Sequence, residues 1–145
     1  MNIDNGFTRV LALLACIGFL VFGLIRVVVG SGMLAQTMGY VDYAEFAAAL
    51  TDTSEFLALN AERSLYAFNV HTYFAYIVAM GVVVTTGAIG ALRRKSWGVK
   101  LIALYLAMHA ALFVNYVTIN PKIWFLIVGI VLCALIAAVR KPKAA

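Results

Sequence analysis

Charged side chains are scarce in this 145-residue sequence, which is 12% charged and 65% hydrophobic, with a mean hydropathy of +1.00. A soluble domain is typically about one quarter charged and about one half apolar. The chain therefore lacks the polar surface that a water-soluble protein needs. Its composition predicts a polytopic membrane protein with a single transmembrane domain over residues 1–145.

Several signatures of chemistry are also missing. Cys16 and Cys133 lie singly inside apolar runs, as small buried hydrophobes do, and no CxxC pair is present. The sequence contains no GxSxG or HExxH motif, and no aspartate or glutamate falls inside an apolar run. We therefore expect no catalytic residues and no metal centre, and the missing carboxylates count against proton- or cation-coupled transport.

Four apolar runs are long enough to cross a bilayer core of about 30 Å, which takes roughly 20 helical residues. They cover residues 7–30, 65–92, 99–119 and 123–139. Lipid cannot satisfy open backbone groups, so each run must be helical. The sequence predicts an all-α, integral membrane four-helix bundle.

Between the first two runs lies an acidic segment, residues 31–64, which holds all but one of the six acids. Asp42 and Asp52 are each followed three residues later by a glutamate, a spacing that resembles a capping box. We expect a short helix near residues 43–50 and a second helix start near residue 53. That second helix is expected to run on into the second span.

Basic residues are distributed unequally between the two predicted sides. With the N-terminus inside, the cytoplasmic side carries eight bases and the outer side three, which fits the positive-inside rule. The bias predicts an inner (cytoplasmic) membrane protein with both termini cytoplasmic and no nucleic-acid partner. The N-terminal stretch lacks a basic n-region and an A-x-A site, so the first run is expected to be an uncleaved span. The inner bases are Arg9, Arg93, Arg94, Lys95, Lys100, Arg140, Lys141 and Lys143, and the outer ones are Arg26, Arg63 and Lys122.

Small residues recur at spacings of four in three of the runs. Such seams let helices approach closely in lipid. They are expected to hold the bundle together, the alternative being contact with a second protein. The seams are Ala103, Ala107 and Ala111; Gly129, Cys133 and Ala137; and Gly87 with Ala91.

Polar side chains collect in the outer half of the predicted bundle, where they form a candidate ligand pocket. His71 and His109, the only two histidines, differ in predicted depth by about 6 Å. Helical spacing sets His71 opposite a stripe of the second span that begins with Tyr66, Asn69, Tyr73 and Tyr76. One of those two faces is expected to look inward, and the other to meet neighbouring spans, a lipid headgroup or a partner protein. Arg26 either snorkels outward or pairs with a polar or acidic group. The candidate pocket consists of Arg26, Asn69, His71, Tyr73, His109, Asn115 and Tyr116.

Three functional hypotheses follow. The first is a non-catalytic subunit, assembly factor or regulator of a larger membrane complex, whose partners are membrane lipids and other subunits or further copies of itself. The second is a binding protein for a quinone or lipid-like ligand, or for a b-type haem held by His71 and His109. The third is an oligomeric transporter or channel.

Overall fold

The computed structural model describes residues 5–117 and 121–141. Over these ranges the chain is all-α, with no strand. Three helices, α1, α3 and α4, are long and apolar enough to cross a membrane, which confirms a membrane protein with transmembrane helices. The shorter apolar helix α5 has 17 residues. The helices are α1 (Gly6–Thr37), α2 (Ala44–Asn60), α3 (Val70–Leu92), α4 (Ser96–Tyr116) and α5 (Ile123–Val139).

Helix α1 is longer than predicted, because it continues to Thr37 instead of ending near residue 30. Its 32 residues measure about 48 Å, well beyond the bilayer core of about 30 Å. Residues 31–37 include methionine, leucine, alanine and glutamine, which are good helix formers. The chain leaves the helix only near Gly39, whose φ of +76° suits glycine.

Two predicted helix starts need correction. Helix α2 begins after Tyr43 as expected, but it runs unbroken to Asn60, so the second start near residue 53 is wrong. Thr53 is already inside the helix and donates its hydroxyl to the Ala49 carbonyl. Helix α3 begins at Val70 instead of residue 65, because Asn69 forms a capping box with Thr72.

Helix α4 begins at Ser96, slightly before the predicted start at residue 99. The predicted end of the third span at residue 119 lies outside the described residues, as do part of the turn at 120–122 and Lys143.

Glycines bring the membrane helices into close contact. Helix α1 packs along α3, where Gly23 faces Val84 and Thr85. Helix α3 in turn packs on α4, with Gly98 against the backbone of α3. Helix α5 lies against α1 and α4, and its Ile136 is fully buried.

The predicted small-residue seams are only partly internal. Gly87 and Ala91 are buried in α3, and Gly129 and Cys133 are buried in α5, whereas Ala137 is exposed. The alanine seam of α4 was expected to pack inside the bundle, and this is wrong within the described chain. Helix α4 turns its opposite face to the core instead. The exposed residues of that seam are Ala103, Ala107 and Ala111.

Candidate functional site

A cavity of about 350 Å³ lies where α1, α3 and α4 meet beneath α2. Helix α2 contributes Asp52, Thr53 and Phe56 to its wall, and Lys122 lines it from the start of α5. Helix α2 of the predicted acidic segment therefore covers the cavity. Four of the seven predicted pocket residues line this cavity, namely Arg26, Tyr73, His109 and Tyr116.

Arg26 directs its guanidinium group along α1 towards the bundle interior. Its Cζ atom lies 4.8 Å from the ring centre of Phe22 and 5.8 Å from that of Tyr105, a cation–π arrangement. Among the described residues its one hydrogen-bond acceptor is the Met80 sulfur, at 3.9 Å, and its buried Nε atom has no partner there. Because the group faces inward onto two aromatic rings, Arg26 does not snorkel outward.

The predicted acidic partners of Arg26 do not reach it. Glu55 and Glu62 are exposed, and no carboxylate among the described residues forms an ion pair with this guanidinium group. Arg26 therefore brings an uncompensated positive charge to the cavity wall. An arginine at such a place is costly unless something offsets its charge.

Tyr116 supplies a second donor without an acceptor. The residue is 5% exposed, and its buried hydroxyl has no hydrogen-bond partner in the part of the chain that the structure describes. Its ring packs edge-on against Phe56 of α2, with 5.1 Å between ring centres. The α2 contact therefore fixes the ring of Tyr116 but leaves its hydroxyl unsatisfied.

His109 occupies the middle of the cavity wall on α4. Its ring stacks on Phe113 at 5.5 Å between centres, and its Nδ1 atom lies 3.5 Å from the Tyr105 hydroxyl. Tyr105 was not predicted as part of the site; it does not line the cavity, but its hydroxyl contacts His109, which does. Its position one helical turn before His109 was the available signal.

The other three predicted pocket residues have structural contacts elsewhere. His71 is exposed, and its Nε2 atom lies 3.0 Å from the Thr37 carbonyl oxygen at the end of α1. Asn69 caps α3. Asn115 holds the backbone of Tyr66 through both ends of its side-chain amide. The structure therefore does not bring His71 into the cavity with His109, and this pair does not fit axial ligation of a haem.

A second, apolar groove of about 360 Å³ lies between α1, α4 and α5. Phe22 and Tyr105 line it, and the guanidinium group of Arg26 packs over the same two rings. The two rings therefore lie between the groove, which they line, and Arg26, which lines the polar cavity. Sequence reasoning missed the groove because its walls are ordinary apolar residues, the small Gly18 and Gly129 among them.

The cavity offers guanidinium, phenol and imidazole groups to a ligand that accepts hydrogen bonds. Across the described ranges, no group of three or more His, Cys, Asp or Glu residues is placed to hold a metal ion. Comparison with known proteins found no matching family model, curated protein or solved structure.

Proposed function

We propose that this protein binds the polar head of a lipid-like or quinone-like amphipathic ligand in the cavity under α2. One observation carries the proposal: two buried donors without acceptors, Arg26 Nε and the Tyr116 hydroxyl, belong to residues that line the same cavity. Buried polar groups in native proteins are nearly always paired, so two exceptions at one cavity call for an explanation.

The energetics favour a ligand over a purely structural cavity. Each buried donor left unsatisfied costs about 1–3 kcal/mol. A membrane arginine adds up to roughly 2.5–3.5 kcal/mol, the value at the helix centre, and less near the bilayer interface. A ligand that accepts from both groups offsets part of this cost. The cavity also suits a ligand head in size, since pockets for small molecules begin at about 300 Å³.

Tyr116→Phe tests the proposal, because it removes the unpaired hydroxyl and keeps the ring that packs on Phe56. We expect the content of small molecules that copurify with the protein, measured by mass spectrometry of extracts, to fall about fivefold. The thermal stability of the ligand-free protein should stay constant or rise slightly.

Tyr66→Phe is the matched control, since the ring of Tyr66 is exposed and lies outside the cavity. This variant should retain wild-type ligand content. Equal ligand content in both variants and the wild type would contradict a ligand at Tyr116.

The proposal includes a topology of four spans with both termini cytoplasmic. Helix α5 packs alongside α1 and α4, and its 17 residues reach the lower limit for a transmembrane helix. Reporter fusions test this. A reporter at the C-terminus should respond from the same side as one in the 93–95 turn and from the opposite side to one before α2. A C-terminal reporter on the side of α2 would contradict the fourth span.

Membership of a larger membrane complex is a second candidate function, favoured by the exposed alanine seam of α4. Exposed small residues permit close helix approach in lipid. Ala107→Phe should then weaken recovery of a partner in native pull-downs from membranes, while Val131→Phe on the exposed face of α5 should not. Recovery of the wild-type chain alone, as a monomer, would contradict membership of a larger complex.

A further inference from the structure

We propose that the ligand is an anionic phospholipid, with its phosphate beside Arg26 and Tyr116 and one acyl chain in the apolar groove. This inference rests on the proposed function, which it deepens by naming the head charge and the place of the tail. In this inference the polar cavity binds the head and the groove binds the tail of one ligand. The rings of Phe22 and Tyr105, which line the groove, lie between the two parts.

The charges around the cavity favour an anion. Arg26 and Lys122 line it as cations, and Asp52 is the one carboxylate among its described lining residues. Asp52 lies on the exposed face of α2 and makes no ion pair with Arg26. The unmatched charge is therefore that of Arg26, which is half-buried in the cavity wall.

A neutral head group and an anionic head group differ in whether they supply Arg26 with a counter-charge as well as a hydrogen-bond acceptor. A quinone carbonyl accepts hydrogen bonds, but it leaves the guanidinium group without a counter-charge. A phosphate supplies both, and its oxygens match the forked donors of arginine. Tyr116 adds a hydroxyl that donates to the same group.

The groove has the chemistry and the length for an acyl chain. Its walls are apolar and are built from α1, α4 and α5, with Phe19, Leu106 and Phe125 among them. From Arg26 to Leu11, the lining residue nearest the start of α1, the distance along the helix is about 22 Å. This exceeds half of the bilayer core thickness of about 30 Å, so a lipid with its head at Arg26 can lay one chain along the groove.

Gly18 allows the tail site to be tested separately from the head site. It lines the groove, and a Cβ atom added there would meet no atom within 4 Å. Gly18→Leu therefore adds a side chain at the groove wall at a position where its Cβ atom meets no neighbour. Ala134→Leu adds a side chain of the same size on an exposed face of α5 that lines neither cavity.

The experiment offers phosphatidylglycerol or phosphatidylcholine with identical acyl chains to the delipidated full-length protein and counts bound lipid by native mass spectrometry. We expect wild type to retain the anionic lipid preferentially. Arg26→Gln should reduce its retention about tenfold, because a charge-assisted hydrogen bond is lost. It should also abolish the preference, because the choline group cancels the phosphate charge of phosphatidylcholine and only the anionic lipid supplies a net counter-charge to Arg26. Gly18→Leu should reduce retention severalfold, and Ala134→Leu should not change it.

A second arm separates the lipid from its soluble head. Glycerol phosphate or inorganic phosphate at millimolar concentration should displace little lipid, because neither occupies the groove. Full displacement by either one, with Gly18→Leu behaving as wild type, would overturn the acyl-chain assignment. If Arg26→Gln does not elute as a monodisperse species, Arg26→Lys serves instead, since it keeps the charge but loses Nε and the fork. Retention of phosphatidylglycerol equal to wild type in that variant would contradict a head held by the forked donors.

The remaining outcomes separate this inference from the proposed function. Equal retention of both lipids, lowered in each case by Tyr116→Phe, would overturn the anionic head and leave a binding cavity in place. No retained lipid, together with no effect of Tyr116→Phe on copurifying molecules, would overturn both.

Discussion

Replacing Gly98 with alanine is expected to lower the free energy of unfolding by about 3 kcal/mol, at the upper end of the usual cost of overpacking. A Cβ atom at Gly98 would overlap the Gly90 carbonyl carbon and the Ala91 nitrogen, and it would lie 2.9 Å from the Ala91 Cα. These are backbone atoms of α3, so no side chain can turn aside. The only relief is to separate α3 from α4.

The matched control is Gly18→Ala, because a Cβ atom there meets nothing within 4 Å. That variant should be as stable as wild type, or up to about 1 kcal/mol more stable through helix propensity. Denaturant titration of both purified variants in one detergent measures the difference. Equal stability would mean that α3 and α4 do not meet at Gly98.

The free energy of unfolding of Gly90→Ala should lie between those of Gly98→Ala and Gly18→Ala. Its added Cβ atom would overlap the ring of Trp97, but this ring is 42% exposed and can move aside. The contrast between Gly90 and Gly98 therefore distinguishes a clash with a side chain from a clash with backbone. The separation of α3 and α4 would also move Tyr73 away from His109, so Gly98→Ala should reduce ligand content as well.

The helical membrane class follows from the sequence because bilayer thickness sets the length of an apolar run. The ends of the helices are predicted less accurately, because hydropathy does not indicate the residue at which helical hydrogen bonding stops. Residues 65–69 are mostly apolar, yet Asn69 caps α3 and leaves them outside it. The signal was present as an asparagine followed three residues later by Thr72.

The depth of a polar residue in the membrane can be predicted from a sequence. The direction in which its side chain points, towards the bundle interior or away from it, cannot. Arg26, Tyr73, His109 and Tyr116 were grouped by depth, and the structure places them around one cavity. His71 has a similar predicted depth but contacts the end of α1. Whether His71 lines the cavity depends on which helix packs against each face of α3. This packing cannot be read from a single sequence.

The aromatic surroundings of Arg26 illustrate the same limit. Phe22 is one helical turn before Arg26 and so was within reach of a sequence argument. Tyr105 is on a different helix, and only the packing of the bundle brings its ring under the guanidinium group. The assignment of Arg26 as a snorkelling or paired residue therefore could not be decided before the fold was known.

Asn115→Leu is expected to destabilise the protein by about 2 kcal/mol, because it removes two hydrogen bonds that hold the chain between α2 and α3. The side chain of Asn115 accepts from the Tyr66 backbone N–H at 2.8 Å and donates to the Tyr66 carbonyl at 3.1 Å. Asn115 itself is 8% exposed, so its amide is built into the fold. Leucine is similar in size but leaves both partly buried backbone groups without their partner.

Asn60→Leu is the matched control, since within residues 5–117 and 121–141 the Asn60 amide donates only to the Phe56 carbonyl, one turn earlier on exposed α2. It should cost less than about 0.5 kcal/mol, as most surface substitutions do. Hydrogen exchange gives the local readout: the Tyr66 amide should exchange faster in Asn115→Leu than in the control. The Leu65 N–H bonds to the backbone carbonyl of residue 115 at 3.0 Å, so this bond can survive the substitution. Unchanged exchange at Tyr66 would mean that this backbone bond alone holds the segment over the end of α4.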